Sequence, residues 1–305
     1  KNVSGDAITA YGESSSYTVL VKIDGGHVGV AGSEGNTGDG IYLWRADASS
    51  YIRDVVFTLN EDYGINLYYS NITVGGTTYG TSNVFNTNYD GGINVVSSTV
   101  TLRYNRFLYN GDQGIRFQSA GGDVDYCDMI DNENYGLYCY ASSPDVKDTW
   151  FEGDDVAEVY ITNGSAPNLG DGTDGGGNSF RIDGNCDTDD CAQWAVQWNS
   201  NNEEEVDAED NWWGSNPPAS ESSMFDLASQ MADIDYSPYE TSWSGRSPSY
   251  ILGVKRARGG ADEPAAVTSV ADDTETLQAS VDRDHAIVEQ YPDSLRARHA
   301  LIRIY

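Results

Sequence analysis

The side chains best suited to chemistry are three arginines and two neighbouring carboxylates: Arg103, Arg106 and Arg116 with Asp112 and Asp128. Cations and carboxylates at this spacing suit an acidic ligand, but they also suit plain surface ion pairs, each worth about 1 kcal/mol at most. Asp154-Asp155 has the residue types for acid and base at a glycosidic bond. His27, His285 and His299 lie outside the stretch that carries these groups, so no serine–histidine–aspartate arrangement forms there. Asp187, Asp189 and Asp190, with Asp171 and Asp174 upstream, present oxygen ligands at the close spacing that calcium accepts, without a full EF-hand loop. Cys186 and Cys191 bracket that acidic loop and are spaced for a local disulfide in an oxidising compartment. Cys127 and Cys139 have the parity of small core residues, and no histidine near either pair supports zinc. No catalytic residue is assigned from these patterns.

Charge narrows the partners. Lysine and arginine total 17 against 48 acidic residues, a formal charge of −31. Nucleic acid is excluded, because phosphate binding needs a basic surface. Anionic polysaccharide is repelled overall unless cations bridge the two. Such acidity keeps a large secreted protein in solution. No apolar stretch approaches the length of a membrane span. The first residue is Lys1 and the last, Tyr305, interrupts an amphipathic pattern. Both features fit a processed precursor whose product is extracellular or at the cell surface.

The elements that would position these groups announce themselves as a repeat. Gly40-Ile41, Gly64-Ile65, Gly92-Ile93, Gly114-Ile115 and Gly136-Leu137 recur at steps of 24, 28, 22 and 22 residues. Beside them runs an apolar residue followed three positions later by a carboxamide or carboxylate: Phe57/Asn60, Phe85/Asn88, Phe107/Asn110, Met129/Asn132 and Phe151/Asp154. Two series on one period mean stacked coils. In one unit, Val100–Asn110 and Gly114–Ala120 are two runs of strand formers separated by Asn, Gly and Asp, too short for helices. Alternation places Ile41, Ile65, Ile93, Ile115, Leu137 and Val159 in one inward column, and Leu43, Leu67, Val95, Phe117, Cys139 and Ile161 beside it. The glycine suits a place where a side chain would crowd the backbone. Asn and Asp at the opposite corner suit left-handed backbone and bonds to neighbouring turns.

These repeats resemble the parallel β-helices of the pectate-lyase-like superfamily over roughly residues 15–245. Asn211-Trp-Trp-Gly214 and the later Tyr236-Ser-Pro238 look like the last-coil signature of many secreted bacterial β-helix proteins, with Trp212 and Trp213 as a cap on the core. The resemblance implies an all-β fold, a right-handed parallel β-helix of about 22-residue coils, and the helical spacing of apolar residues after Thr274 adds a short α-helical tail. It also raises enzymes that cleave acidic polysaccharides, for which an arginine or lysine base and calcium are usual. Gly153-Asp-Asp155 resembles one element of polygalacturonases, but their Asn-Thr-Asp, Gly-His-Gly and Arg-Ile-Lys elements are missing.

Two interruptions and a tail complete the organisation. Gly75–Gly80 enlarges one turn, and 163–178 forms a Gly- and Asp-rich excursion before the stack resumes near Phe180 and Trp194–Trp198. The β-helix is expected over 1–252, a linker over 253–273 and a tetratricopeptide-like helix pair over 274–305. Outward positions beside the glycine-isoleucine column gather Tyr42, Trp44 and Tyr68 at one end and Tyr138, Tyr140 and Tyr160 at the other, a contact surface for a glycan or a partner. The sequence therefore points first to a secreted, non-catalytic structural protein that self-associates, as a homo-oligomer or filament, through coil ends, aromatic face or tail. A glycan-binding or adhesive module is the alternative, and a calcium-assisted polysaccharide lyase or hydrolase the third reading.

Overall fold

The computed structural model describes residues 5–29, 36–171, 176–181, 192–199, 205–215, 218–227 and 233–241. The linker, the helical tail, Cys186, Cys191, Asp174, Asp187, Asp189 and Asp190 lie outside the described residues.

The chain winds as a parallel solenoid. One sheet of nine strands runs from Ile8–Tyr11 through Ile41–Trp44, Tyr63–Tyr68, Gly91–Val96, Gln113–Gln118, Tyr135–Tyr140, Ala157–Thr162 and Trp194–Asn199 to Phe225–Leu227. Its register sets Ile41 against Ile65, Ile65 against Ile93, Ile93 against Ile115, Ile115 against Leu137 and Leu137 against Val159. Both inward columns expected from alternation are fully buried, Cys139 among them. We call this the glycine-isoleucine face.

Each regular coil contributes three strands, where the sequence suggested two runs. A threonine face stacks Asn71–Gly75, Thr99–Arg103, Gly121–Asp125 and Asp145–Lys147. A phenylalanine face stacks Val84–Asn86, Arg106–Leu108, Asp128–Ile130, Trp150–Glu152 and Ser179–Arg181. The run read as one strand, Val100–Asn110, bends at Tyr104, whose φ is 55°. Left-handed backbone turns the chain out of its extended path, so the bend makes the third side, and Asp54 at φ 56° makes the same turn two coils earlier. In an early coil the two faces are still one strand, Ser50–Thr58, which pairs with Asn71–Gly75 at one end and Val84–Asn86 at the other.

Stacking in register lets like groups bond to like. Phe57, Phe85 and Phe107 stack with ring centroids 4.7 and 4.8 Å apart, and Phe151, Phe180 and Trp213 continue the pile at 5.0 and 4.6 Å. Trp213 is buried as the last rung, the capping position expected for it, whereas Trp212 is only half-buried. At the corner after the phenylalanine face, the amide of Asn60 donates to Asn88, Asn88 to Asn110, Asn110 to Asn132 and Asn132 to Asp154, at 2.7, 3.0, 2.9 and 2.8 Å. The left-handed residue at that corner is the one before each asparagine: Leu59, Thr87, Tyr109 and Asp131, at φ 56°, 56°, 54° and 53°. The expectation that the Asn itself takes this conformation is corrected. The amide points inward to bond the next coil, and its neighbour makes the bend.

The ruler's glycines serve space. A Cβ on Gly92 would sit 2.5 Å from the Gly114 carbonyl oxygen and 2.5 Å from the Phe107 ring. Cys127 and Cys139 are buried free thiols, and burial pushes the Cys139 thiol far above its ordinary value. No helix among the described residues is long and apolar enough to cross a membrane.

Candidate functional site

The arginines singled out above are dispersed by the fold. Arg103, on the threonine face, bonds Asp125 at 2.9 Å, and Arg106, on the phenylalanine face, lies 3.6 Å from Asp128. Only Arg116 lies on the glycine-isoleucine face. Asp154 is fully buried in the amide ladder, so the Asp154-Asp155 pair does not face a substrate. Among the described residues, no group of three or more His, Cys, Asp or Glu could hold a metal ion.

The outer side of the glycine-isoleucine face is a flat strip with rings at both ends. At one end the rings of Tyr42 and Tyr68 lie 5.5 Å apart, Trp44 and Tyr68 5.6 Å, and Tyr11 extends the group 5.6 Å from Tyr42. Tyr69 closes edge-on to Trp44 at 4.9 Å, with the Arg45 guanidinium over both rings. At the other end Tyr138 and Tyr160 stack at 5.1 Å, and Tyr135 packs 4.7 Å from Tyr160. Tyr140 is exposed beside them. Strand register fixes these spacings: Tyr42, Asn66, Asn94, Arg116 and Tyr138 occupy one column, so Tyr42 and Tyr138 stand about 19 Å apart and the facing rings of Tyr68 and Tyr140 about 14 Å at a coil spacing of about 4.8 Å. Tyr63 and Tyr135 start strands and Tyr69 makes a left-handed bend, where a two-run repeat gives no facing, while Tyr11 ends a strand that precedes the first glycine-isoleucine pair, in register with Trp44.

Between the rings lies a polar row. Asn94 donates to Asn66 at 3.0 Å and Asn66 to Asp39 at 2.8 Å. Burial pushes the Asp39 carboxyl up to about 6 against these bonds. Arg116 donates to the Tyr63 hydroxyl at 3.4 Å and lies over the Tyr138 ring at 5.4 Å. Burial opposes its charge, but the bond to Tyr63 and the fields of Tyr138 and Asp112 hold its pKa above the ordinary value. Arg116 is thus kept as a cation, suited to donating hydrogen bonds rather than removing a proton. Asp62 and Asp90 margin the strip, their carboxyls raised by burial and then by acidic neighbours.

Three polar atoms of this row lack protein partners: Asn94 Oδ1, Gln113 Oε1 and Arg116 Nε, although Asn94 and Gln113 are each only 5% exposed. Orphaned polar atoms are rare inside native proteins and call for a partner.

A family model for the right-handed beta helix region matches residues 39–203, a little over half of the chain. The chain belongs to the right-handed beta helix family. The solenoid's coils are accordingly right-handed, with the glycine-isoleucine strands as their most regular side. No curated protein matches this β-helix. Among solved structures it is similar to the periplasmic alginate epimerase AlgG, at 14% identity over 68% of this chain and 50% of that one, with a TM-score of 0.38. It is also similar to the pectate lyase Pel9A, at 11% identity over 83% of this chain and 72% of that one, with a TM-score of 0.35. The β-helix thus spans half the length of the epimerase, and no chemistry is carried over from either protein.

Proposed function

We propose that this protein is an extracellular, non-catalytic glycan-binding β-helix that lays a neutral polysaccharide along its glycine-isoleucine face. The observation that carries the reading is the pair of ring platforms on one flat strip, Tyr42, Trp44 and Tyr68 at one end and Tyr138 with Tyr160 at the other. Sugar rings stack on tyrosine and tryptophan through their apolar faces, while their hydroxyls donate to amide oxygens and accept from guanidinium. Acidic margins at Asp62 and Asp90, and a formal charge of −31, oppose an anionic chain on this side. Arg116 held as a cation, and the burial of Asp154 away from solvent, both weigh against elimination or hydrolysis here. Titration of neutral oligosaccharides into the wild type and into Tyr138→Ala/Tyr160→Ala tests the reading. Binding without cleavage, weakened in the variant, supports it.

Self-association through the coil end is the second reading. Strand Ile8–Tyr11 pairs on one side only among the described residues, with Ile8 38% and Tyr11 63% exposed. Such an edge is a template for another chain. A native mass that stays monomeric at rising concentration removes this reading.

A further inference from the structure

The first coil among the described residues ends in a free edge. The amides of Ile8 and Gly12 donate to the carbonyls of Gly40 and Trp44 in the next coil, at 3.1 and 2.7 Å. Alternate residues of a parallel strand bond on alternate sides, so Thr9 and Tyr11 turn their N–H and C=O groups away from the stack. Ile8, Thr9 and Tyr11 are all exposed. Large apolar side chains are exposed together here, Ile8, Tyr11, Tyr17 and Leu20, against Leu227 alone in the last described coil.

The last coil is finished differently. Trp213, Phe225 and Tyr236 pack edge to face over the end of the core. Its rim carries Glu205, Asp207, Asp226, Asp233 and Asp235, and residues 205–241 contain no lysine or arginine. The first coil, over 5–29, has Asp6, Glu13 and Asp24 against Lys22. Head-to-tail stacking in register would set Thr9 of one copy on Asp226 of the next, since both lie in the Tyr42 column. That contact brings acids against a wholly acidic rim, which like-charge repulsion opposes.

Two first coils meeting head to head face no such rim. About a two-fold axis through Thr9 the strands run antiparallel with their side chains on matching faces. Thr9 then opposes Thr9, Ile8 opposes Ala10 and Tyr11 opposes Ala7, so each large residue faces a small one. Asp6 falls opposite Gly12 and Glu13 opposite Gly5, so no like charges meet directly. We infer that this protein forms a closed two-fold dimer through its first coil, with Thr9 on the axis. The inference rests on the coil-end reading above and names its partner, a second copy. Both copies use the same patch, so the assembly stops at two and does not grow into a filament. It joins two nine-stranded glycine-isoleucine sheets into one. Tyr42 pairs beside Thr9, so the partner's Tyr42 stands three strand spacings away, about 14 Å, and one aromatic strip runs across both copies.

The test combines the native mass of the full chain at rising concentration with cross-linking. Cα atoms of a hydrogen-bonded antiparallel pair lie about 5.5 Å apart, within disulfide reach. Thr9→Cys is therefore expected to oxidise to a covalent dimer that the wild type, with its own cysteines, does not form. Thr9→Cys/Asp226→Cys is expected to give that dimer and nothing larger. A ladder of higher multimers instead shows head-to-tail stacking, which overturns the inference and leaves the coil-end reading standing. A dimeric mass without the Thr9→Cys cross-link overturns the two-fold register. A monomer at every concentration removes the inference and the reading together. Thr9→Pro deletes an N–H that the chain's own coils do not use, and it is expected to weaken the dimer about tenfold or more. An unchanged dissociation constant contradicts the inference. Melting of the proline variant is measured in parallel, and where it does not fold the cysteine cross-link decides.

Discussion

Asp154 and Glu158 meet inside the coil, and each is the odd member of its column. Asp154 ends the asparagine ladder, and Glu158 takes the position held by Gly136 in the coil before. Asp154 Oδ1 accepts from Asn132 at 2.8 Å, and Glu158 Oε1 accepts from the Gly153 amide at 3.1 Å. Their remaining oxygens, Oδ2 and Oε2, are both buried with no other partner. One proton between them, donated by Glu158 to Asp154, satisfies both. Two sequence departures that look like defects singly therefore compensate as a pair.

This pair sets a pH dependence. Burial raises Asp154 to about 6, and burial with the adjacent Asp154 raises Glu158 well above its ordinary value. Both folded values exceed the unfolded ones, so the folded protein retains protons that the unfolded chain releases. The stabilisation is complete below about pH 4 and falls as pH rises through about 6 and beyond. Glu158→Gln supplies a permanent donor, so its melting temperature should fall less than that of the wild type between about pH 5 and pH 8. Equal falls in the two proteins would show that the pair does not titrate as described.

Asn110 sits mid-ladder, accepting from the Asn88 amide at 3.0 Å and donating to Asn132 at 2.9 Å and the Phe85 carbonyl at 3.1 Å. Asn110→Ala leaves buried groups unbonded in the coils on both sides, at a cost of about 2–4 kcal/mol. The urea midpoint should drop accordingly, while an exposed control such as Asn71→Ala should change it little.

Gly92→Ala should destabilise by about 1–3 kcal/mol through overpacking. Its Cβ meets a backbone carbonyl of the next coil, which has little room to yield, as well as the Phe107 ring. Gly121→Ala is the matched control, since nothing lies within 4 Å of the Cβ there. A thermal melt of Gly92→Ala matching that control would contradict the crowding account.

How much of this was legible in the sequence follows from what alternation encodes. Ile41 to Val159 and Phe57 to Phe151 declare their inward facing because the period fixes which residues share a column. The bend at Tyr104 was not legible, because left-handed backbone at a tyrosine leaves no compositional mark. For the same reason the asparagine, conspicuous by type, drew attention from Leu59 or Thr87, which make the turn. The outward rings at 42, 44, 68, 138, 140 and 160 could be grouped by register alone. Their partners Tyr11 and Tyr135 needed three-dimensional contact, and so did the separation of Arg103, Arg106 and Arg116 onto three faces.

The most direct test of the central claim is a calorimetric titration of neutral gluco- and manno-oligosaccharides, with product analysis of the same samples. The account predicts saturable binding by the wild type, no cleavage, and affinity at least about tenfold lower in Tyr138→Ala/Tyr160→Ala. Cleavage of the sugar, or binding indifferent to the loss of both tyrosines, would contradict it.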